Sequence, residues 1–304
     1  MFLPRTRTPA VQFTAMAKKK KISIKLYLFP WAGGTSRIYS TLSSEIGRDE
    51  EDQIPLSSSP ESWSTAGPGS SATATSTSNL SFQVHPVDLP GRFVRPDEEA
   101  ITDIPTLADV LITELFGDPD YAEVKQIQPY VLFGHSFGAM LAFEIAKKVE
   151  EKGMQPPLAL FVSASRPPSA ASLTSSDGLP VSDMDLSEMA SYFKARGSTM
   201  NFDFGSKELS DAFVRSVKVD YKGLESYTSN PNAKVSCPLF AIGGDSDSIV
   251  AIDDTSAWKS HHEGDDGFFE HFILAGKGHF YLLDDNDAAR SLVGIIVQNV
   301  QSVR

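Results

Sequence analysis

One cysteine in 304 residues, Cys237, leaves no partner for an internal disulfide and excludes a four-cysteine zinc site. The expectation is a buried, inert thiol in a reducing compartment. No run of about 18 uninterrupted apolar residues occurs, which excludes an ordinary membrane-spanning helix. The opening stretch also lacks the compact apolar block of a secretory signal. Positive charge is scarce: 27 Lys and Arg stand against 39 Asp and Glu, a net charge of −12. The first 21 residues hold six of those cations (Arg5, Arg7 and Lys18 to Lys21) and no acid, so the other 283 carry −18. So acidic a body argues against nucleic acid as a partner, because phosphate binding needs a basic face. No internal repeat at a period of about 20–50 residues is present, which excludes a repeat architecture. These absences describe a soluble protein, cytoplasmic or, if the basic leader 1–21 is a targeting segment, housed in a plastid or mitochondrion.

What is present is ordinary globular composition, 41% hydrophobic and 22% charged, with room for one large domain or two small ones. Strand signals alternate with helix signals. Ile22 to Phe29 reads as a strand ending at Pro30, followed by the turn Trp31-Ala32-Gly33-Gly34 and a helix from Ser36 to about Ile46. Phe82 to Asp88, Tyr130 to Phe133, Leu158 to Ala164, Pro238 to Ile242 and Phe272 to Ala275 read as further strands, mostly continuously apolar as in a covered sheet. Helices are expected over Thr106 to Phe116, Ala139 to Lys152 and Ala288 to Val300. This rhythm predicts an α/β fold with a mostly parallel sheet. Two segments break it. Residues 48–79 are an acidic patch followed by a Ser/Thr/Gly/Pro/Ala tract, expected to be a flexible surface insertion. About 165–236 carry helix signals without a good strand, notably Asp185 with Glu188 as an N-cap and Lys207 to Tyr221, as a helical cap over the sheet would.

Gly134-His135-Ser136-Phe137-Gly138 is a G-x-S-x-G between a strand and a helix, the context that holds a nucleophilic serine on a tight turn. A serine hydroxyl needs a base backed by a carboxylate, and this fold's chain order is Ser, acid, His. His279 follows a strand in Gly276-Lys277-Gly278-His279. Asp247 follows another in Gly243-Gly244-Asp245-Ser246-Asp247, with Asp245 as the rival acid. Strand carboxyl ends are where sites of open α/β sheets assemble. The oxyanion needs preorganised amides: that of Phe137, directly after the nucleophile, and a second from the first glycine turn, Ala32 ahead of Trp31. His135, His85, His261, His262 and His271 lack such a setting and read as surface or packing residues, and the last three match no zinc-ligand spacing. A non-enzymatic binding protein would not require the Ser136, Asp247 and His279 set.

The motifs Leu28-Phe29-Pro30-Trp31-Ala32-Gly33-Gly34, Leu89-Pro90-Gly91-Arg92, Gly134-His135-Ser136-Phe137-Gly138-Ala139, Ala164-Ser165-Arg166-Pro167-Pro168 and Gly278-His279-Phe280-Tyr281-Leu282, in that order, resemble the type II thioesterase family. These are stand-alone thioesterases of polyketide, nonribosomal peptide and fatty acid synthesis. Val219-Asp220-Tyr221 and Tyr227 match the family more loosely. The resemblance implies an α/β hydrolase with a helical lid and favours Asp247 as the acid, in the frame Gly244, Asp247, Val250. It implies acyl groups on the phosphopantetheine arm of an acyl carrier protein or megasynthase carrier domain as substrate, with no metal or diffusible cofactor; the chain itself is expected to be a monomer. A carboxylesterase or lipase acting on oxyesters is the alternative on the same fold. Carrier proteins are acidic, so docking calls for local basic charge, for which Arg92, Arg95, Lys147 and Lys148 are candidates. The leader and the 48–79 insertion depart from compact members of the family, as does Phe137, where many carry methionine.

Overall fold

The computed structural model describes residues 21–47, 63–65, 80–117, 128–170, 179–228, 230–264, 268–283 and 285–303. The basic leader, up to residue 20, and all but three residues of the 48–79 insertion lie outside them. Among the described residues seven strands form one sheet: β1 (Ile22–Phe29), β2 (Trp63–Thr65), β3 (Leu80–Pro86), β4 (Tyr130–His135), β5 (Ala159–Ser163), β6 (Leu239–Gly244) and β7 (Phe269–Leu274). Their order is β2-β7-β6-β5-β4-β1-β3, and every pairing is parallel except that of β2 with β7.

Period-2 alternation explains how the sheet is covered. Phe29, Leu132, Leu160, Val162, Leu239 and Ala241 point to one face, where α2 (Ile104–Phe116) and α3 (Phe137–Glu151) pack. Leu28, Val131, Phe133, Phe161, Phe240 and Ile242 point to the other, where α1 (Ser40–Ile46) and α7 (Asn286–Ser302) pack. With both faces covered, β4, β5 and β6 are buried at every position, which is why they read as unbroken apolar runs.

A third apolar cluster lies over the carboxyl ends of the strands. Val181, Met184, Met189, Phe193, Phe213 and Val217, from a short 3-10 turn, α4 (Leu186–Ala195) and α5 (Lys207–Ser226), bury one another. Phe280 packs against them from the sheet side. α4 starts on a full capping box between Asp185 and Glu188, and α5 on the Ser206 side chain. These two helices fall within the segment that sequence reads as a cap.

The structure departs from the sequence expectations in places. The helix expected from Ser36 opens as a 3-10 turn, Ser36–Tyr39, before α1. α5 continues past Tyr221 to Ser226. Residues 63–65, inside the supposed structureless insertion, form β2 and cover the outer edge of β7, an edge that would otherwise present unpaired backbone groups. α6 (Ile252–Ser256) had no sequence signal because five residues are too few for a helical period to register.

The two motif glycines are sterically required. A Cβ on Gly138 would lie 2.0 Å from the Phe29 carbonyl oxygen, and one on Gly134 2.0 Å from that of Gly138. Gly138→Ala is therefore expected to destabilise the fold by at least about 2 kcal/mol, since a backbone contact cannot yield as a flexible side chain would. Gly47→Ala, with nothing nearer than 3.4 Å, should stay within about 0.5 kcal/mol. Urea denaturation of both variants checks the contrast.

Candidate active site

Parallel strands put all their carboxyl ends on one sheet edge, and the segments leaving β1, β4, β6 and β7 meet there. Ser136 follows β4 and is the N-cap residue of α3, with φ 54° and ψ −116°. That backbone region strains a residue bearing a Cβ by about 1–3 kcal/mol. A serine at an N-cap ordinarily bonds to its own helix, but this one makes no side-chain cap bond. Its hydroxyl instead lies 3.1 Å from His279 Nε2.

His279 stands on the loop after β7, with Nδ1 2.9 Å from Asp247 Oδ2. With its proton on Nδ1, the imidazole donates to Asp247 and accepts from Ser136. Asp247 Oδ1 accepts the amides of Ile249 (2.7 Å) and Val250 (2.9 Å), so both carboxylate oxygens are used and the side chain is fully buried. Burial alone would raise the Asp247 pKa. The bond and charge of His279, with the two amides, outweigh it and hold the carboxyl below its ordinary range. The rival acid Asp245 is exposed and accepts the Gly276 amide at 2.6 Å, which ties the loop after β7 to that after β6. Of the two acids, Asp247 is the one that reaches His279.

The amide of Phe137 is the first of α3, where a helix has no acceptor of its own and its dipole favours negative charge. Ala32 and Trp31 border the same cleft as Ser136 and His279. This cleft, about 360 Å³ with its open mouth, is walled also by Phe193, Phe213, Tyr221 and Phe280, with Met200 and Ile249. A second, of about 440 Å³, continues from Ser136 and His279 past Phe137 and Met140 to Ser165 and Arg166. Ser136 thus sits between an aromatic recess and a more polar channel.

Several residues that sequence reasoning had assigned no part, or a different one, hold this geometry in place. His135 lies beneath the site: Nε2 donates to the His279 carbonyl at 2.9 Å, Nδ1 accepts from Ser163 at 2.8 Å, and Ser163 in turn accepts from Tyr281. The carbonyl at one end can only accept, which fixes the direction of the whole chain. Burial, and then the neighbouring His279, push the His135 pKa down to about 3. Arg166 donates to Asp254 at 3.0 Å and to the Ile249 carbonyl at 2.8 Å, bracing the loop that carries Asp247. Asp220 of α5 accepts the Gly33 amide at 2.7 Å while paired with Arg92. Position in sequence gave no sign of these links, which join segments far apart in the chain.

The four cations nominated for docking an acidic partner do not form a basic patch. Arg92 is buried on Asp220, Arg95 pairs with Glu98 and Glu114, Lys147 with Glu144 and Lys148 with Asp109. Two of these acids, Glu98 and Glu144, lie three residues away in sequence, and folding brought the others from farther off. His261 Nδ1 donates to the Ala233 carbonyl and its Nε2 faces the Ser169 hydroxyl, and His271 lies against Thr255, as packing residues do. Among the described residues no group of three or more His, Cys, Asp or Glu is placed to hold a metal ion. Cys237 is buried, and desolvation raises its pKa well above the usual thiol value. No helix among the described residues is long and apolar enough to cross a membrane.

The thioesterase domain family model matches residues 72–299. The probable cadicidin biosynthesis thioesterase of Streptomyces griseus is 27% identical over 271 residues, 88% of this chain, which spans 61% of that relative's length. The medium-chain S-acyl fatty acid synthase thioesterase of Homo sapiens is 29% identical over 92% of this chain and 88% of its own. Among solved structures, the type II thioesterase BorB from the borrelidin biosynthetic cluster has a TM-score of 0.65 at 30% identity, over 92% of this chain and 93% of its own.

With its pKa depressed, His135 is neutral in the folded protein above about pH 3, whereas an unfolded histidine binds a proton below about pH 6.5. The unfolded state therefore binds more protons between those values, so stability falls as pH drops from about 6.5. His135→Asn is expected to flatten that slope by about 1 kcal/mol per pH unit between pH 6 and 4. It should leave the acid limb of any serine-dependent activity in place. Urea denaturation and pH profiles of the two proteins read both.

Proposed function

The chain belongs to the thioesterase domain family, and on that footing we propose that it is a serine hydrolase of acyl thioesters, acting on acyl groups carried by the phosphopantetheine arm of an acyl or peptidyl carrier protein. The observation that carries the reading is the continuous relay Ser136–His279–Asp247, with successive contacts of 3.1 and 2.9 Å, at the floor of an aromatic cleft.

Ser136 Oγ attacks the thioester carbonyl carbon while its proton passes to His279 Nε2. Asp247 holds the ring by Nδ1–H and stabilises the imidazolium. The negative oxygen of the tetrahedral adduct is received by the Phe137 and Ala32 amides. As the adduct collapses the C–S bond breaks, and His279 returns its proton to the leaving thiolate, freeing the pantetheine thiol. His279 then takes a proton from water as it attacks the acyl-serine. Collapse of the second adduct restores Ser136 and releases the carboxylic acid. Phe193, Phe213 and Phe280 give the acyl chain an apolar wall, and the channel toward Ser165 and Arg166 offers polar groups to the amide-bearing arm. That division of the site suits a substrate with a hydrophobic acyl end and a polar carrier end.

The direct test is turnover of matched acyl-carrier, acyl-CoA and nitrophenyl-ester substrates, short to long. Preference for the carrier thioester is expected, with Ser136→Ala lower by on the order of 10⁶ and Asp247→Asn by about 10⁴. Serine-dependent turnover confined to the oxyester would make the protein an esterase instead. Full activity of Ser136→Ala would remove the mechanism altogether.

A further inference from the structure

The buried ion pair between Arg92 and Asp220 lies outside the reacting groups yet touches the loop that bears Ala32. Its side chains are 2% and 0% exposed, so neither charge is solvated. Four of the five Arg92 donors find protein acceptors: Nε and Nη2 reach Asp220 Oδ1 at 3.0 and 2.7 Å, Nη1 the Pro90 carbonyl at 2.7 Å, and Nη2 the Ile101 carbonyl at 2.9 Å. Asp220 Oδ2 is left to one partner, the Gly33 amide at 2.7 Å. An ion pair this deeply buried is weak grounds for stability, because desolvation offsets the attraction. Its geometry has another consequence.

Gly33 is the third residue of a turn closed by Gly34 N–H to Trp31 C=O at 2.9 Å, and its φ of 74° is the left-handed value a type II turn needs there. Such a turn converts to type I by flipping its central peptide, here Ala32–Gly33. A flip would carry the Gly33 N–H away from Asp220 and swing the Ala32 carbonyl toward the carboxylate, like charge facing like. Val217, one turn before Asp220 on α5, closes on the same peptide: a Cβ on Gly33 would sit 2.3 Å from Val217 Cγ2. Phe213 and Tyr221 of that helix line the cleft beside Ser136.

We propose that Asp220, held by Arg92, is a positioning residue that anchors the Trp31–Gly34 turn through the Gly33 amide and thereby holds the adjoining Trp31–Ala32 peptide, which bears the Ala32 N–H, in place as an oxyanion donor, so that the seat of α5 over the acyl cleft sets the rate of the chemical step. This rests on the serine-hydrolase reading above. Loss of this anchor lowers kcat, because only the transition state uses the oxyanion donor, and leaves KM nearly unchanged.

The experiment compares wild type with Asp220→Ala, Asp220→Asn and Arg92→Lys on one acyl-CoA or nitrophenyl ester. It reads kcat per serine titratable by a fluorophosphonate, KM, Tm and affinity for an alkylboronic acid, which forms a tetrahedral adduct on the serine. Leu111→Ala, in the α2 core away from the cleft, supplies a destabilised control. Asp220→Ala should lose about 10²-fold in kcat per titratable serine, the scale of one oxyanion donor, and weaken boronate binding in proportion. Arg92→Lys, which leaves Asp220 in place with a cation beside it, should retain most of the wild-type kcat per titratable serine. Leu111→Ala should lower Tm with kcat intact. Should Asp220→Ala fail to fold, Asp220→Asn carries the test with an expected loss of at least about fivefold, since its amide nitrogen opposes Arg92. A kcat per titratable serine within about twofold of wild type in these Asp220 variants overturns the proposal, as does an equal loss in Leu111→Ala. Unimpaired turnover by Ser136→Ala would instead overturn the reading on which the proposal stands.

Discussion

The contact of α3 with the end of β1 is the constraint on which the site depends. Gly138 packs so closely on the Phe29 carbonyl that no side chain fits between them, and Gly134 packs as closely on Gly138. The two approaches force the chain from β4 into α3 without an intervening loop. The residue at the corner, Ser136, therefore adopts a backbone conformation it would not choose. Its hydroxyl is turned away from the helix it caps and toward the loop after β7. The same approach brings the first amide of α3 beside the turn that follows β1, since both helix and turn abut Phe29 and Pro30. One close backbone contact thus sets the candidate nucleophile and its relation to the two candidate oxyanion donors.

Around that corner, each loop is held by a polar group drawn from elsewhere in the chain. The loop after β6 is braced by Arg166, that after β7 by His135 from below and Asp245 from the side, and the turn after β1 by Asp220. Buried polar groups are tolerated only when partnered, and a partnered group in a low-dielectric interior resists displacement. The aromatic recess differs in kind: Phe193, Phe213 and Phe280 belong to an apolar cluster shared by α4, α5 and the loop after β7. Contacts of that sort are non-directional and can re-form in more than one arrangement.

Much of the fold was legible because it follows from local periodicity. Continuous apolar runs announced β4, β5 and β6 since covering both faces of a parallel sheet leaves no polar position. Capping signals marked the start of α4 because an orphan amide needs a side-chain acceptor wherever the helix lies. β2 and α6 were missed, the one for lying in a polar tract, the other for its brevity. In a chain of net charge −12, Arg92, Arg95, Lys147 and Lys148 do not make a basic docking patch, because each is paired with an acid that lies beside it in space.

By itself the sequence determined the α/β class, the strand-turn-helix setting of Ser136 and the order in which Ser136, an acid and His279 follow one another. Each of these depends on residues within a few positions of one another, or on chain order. Only the tertiary structure decided that Asp247 and not Asp245 reaches His279, though the two are separated by one residue. It alone joined Arg92, Asp220 and Gly33, spaced across most of the chain, into one buried cluster. Distances of 3 Å between residues more than a hundred positions apart are set by the sheet order and the packing of α5. Neither leaves a local mark on the residues that the contact unites.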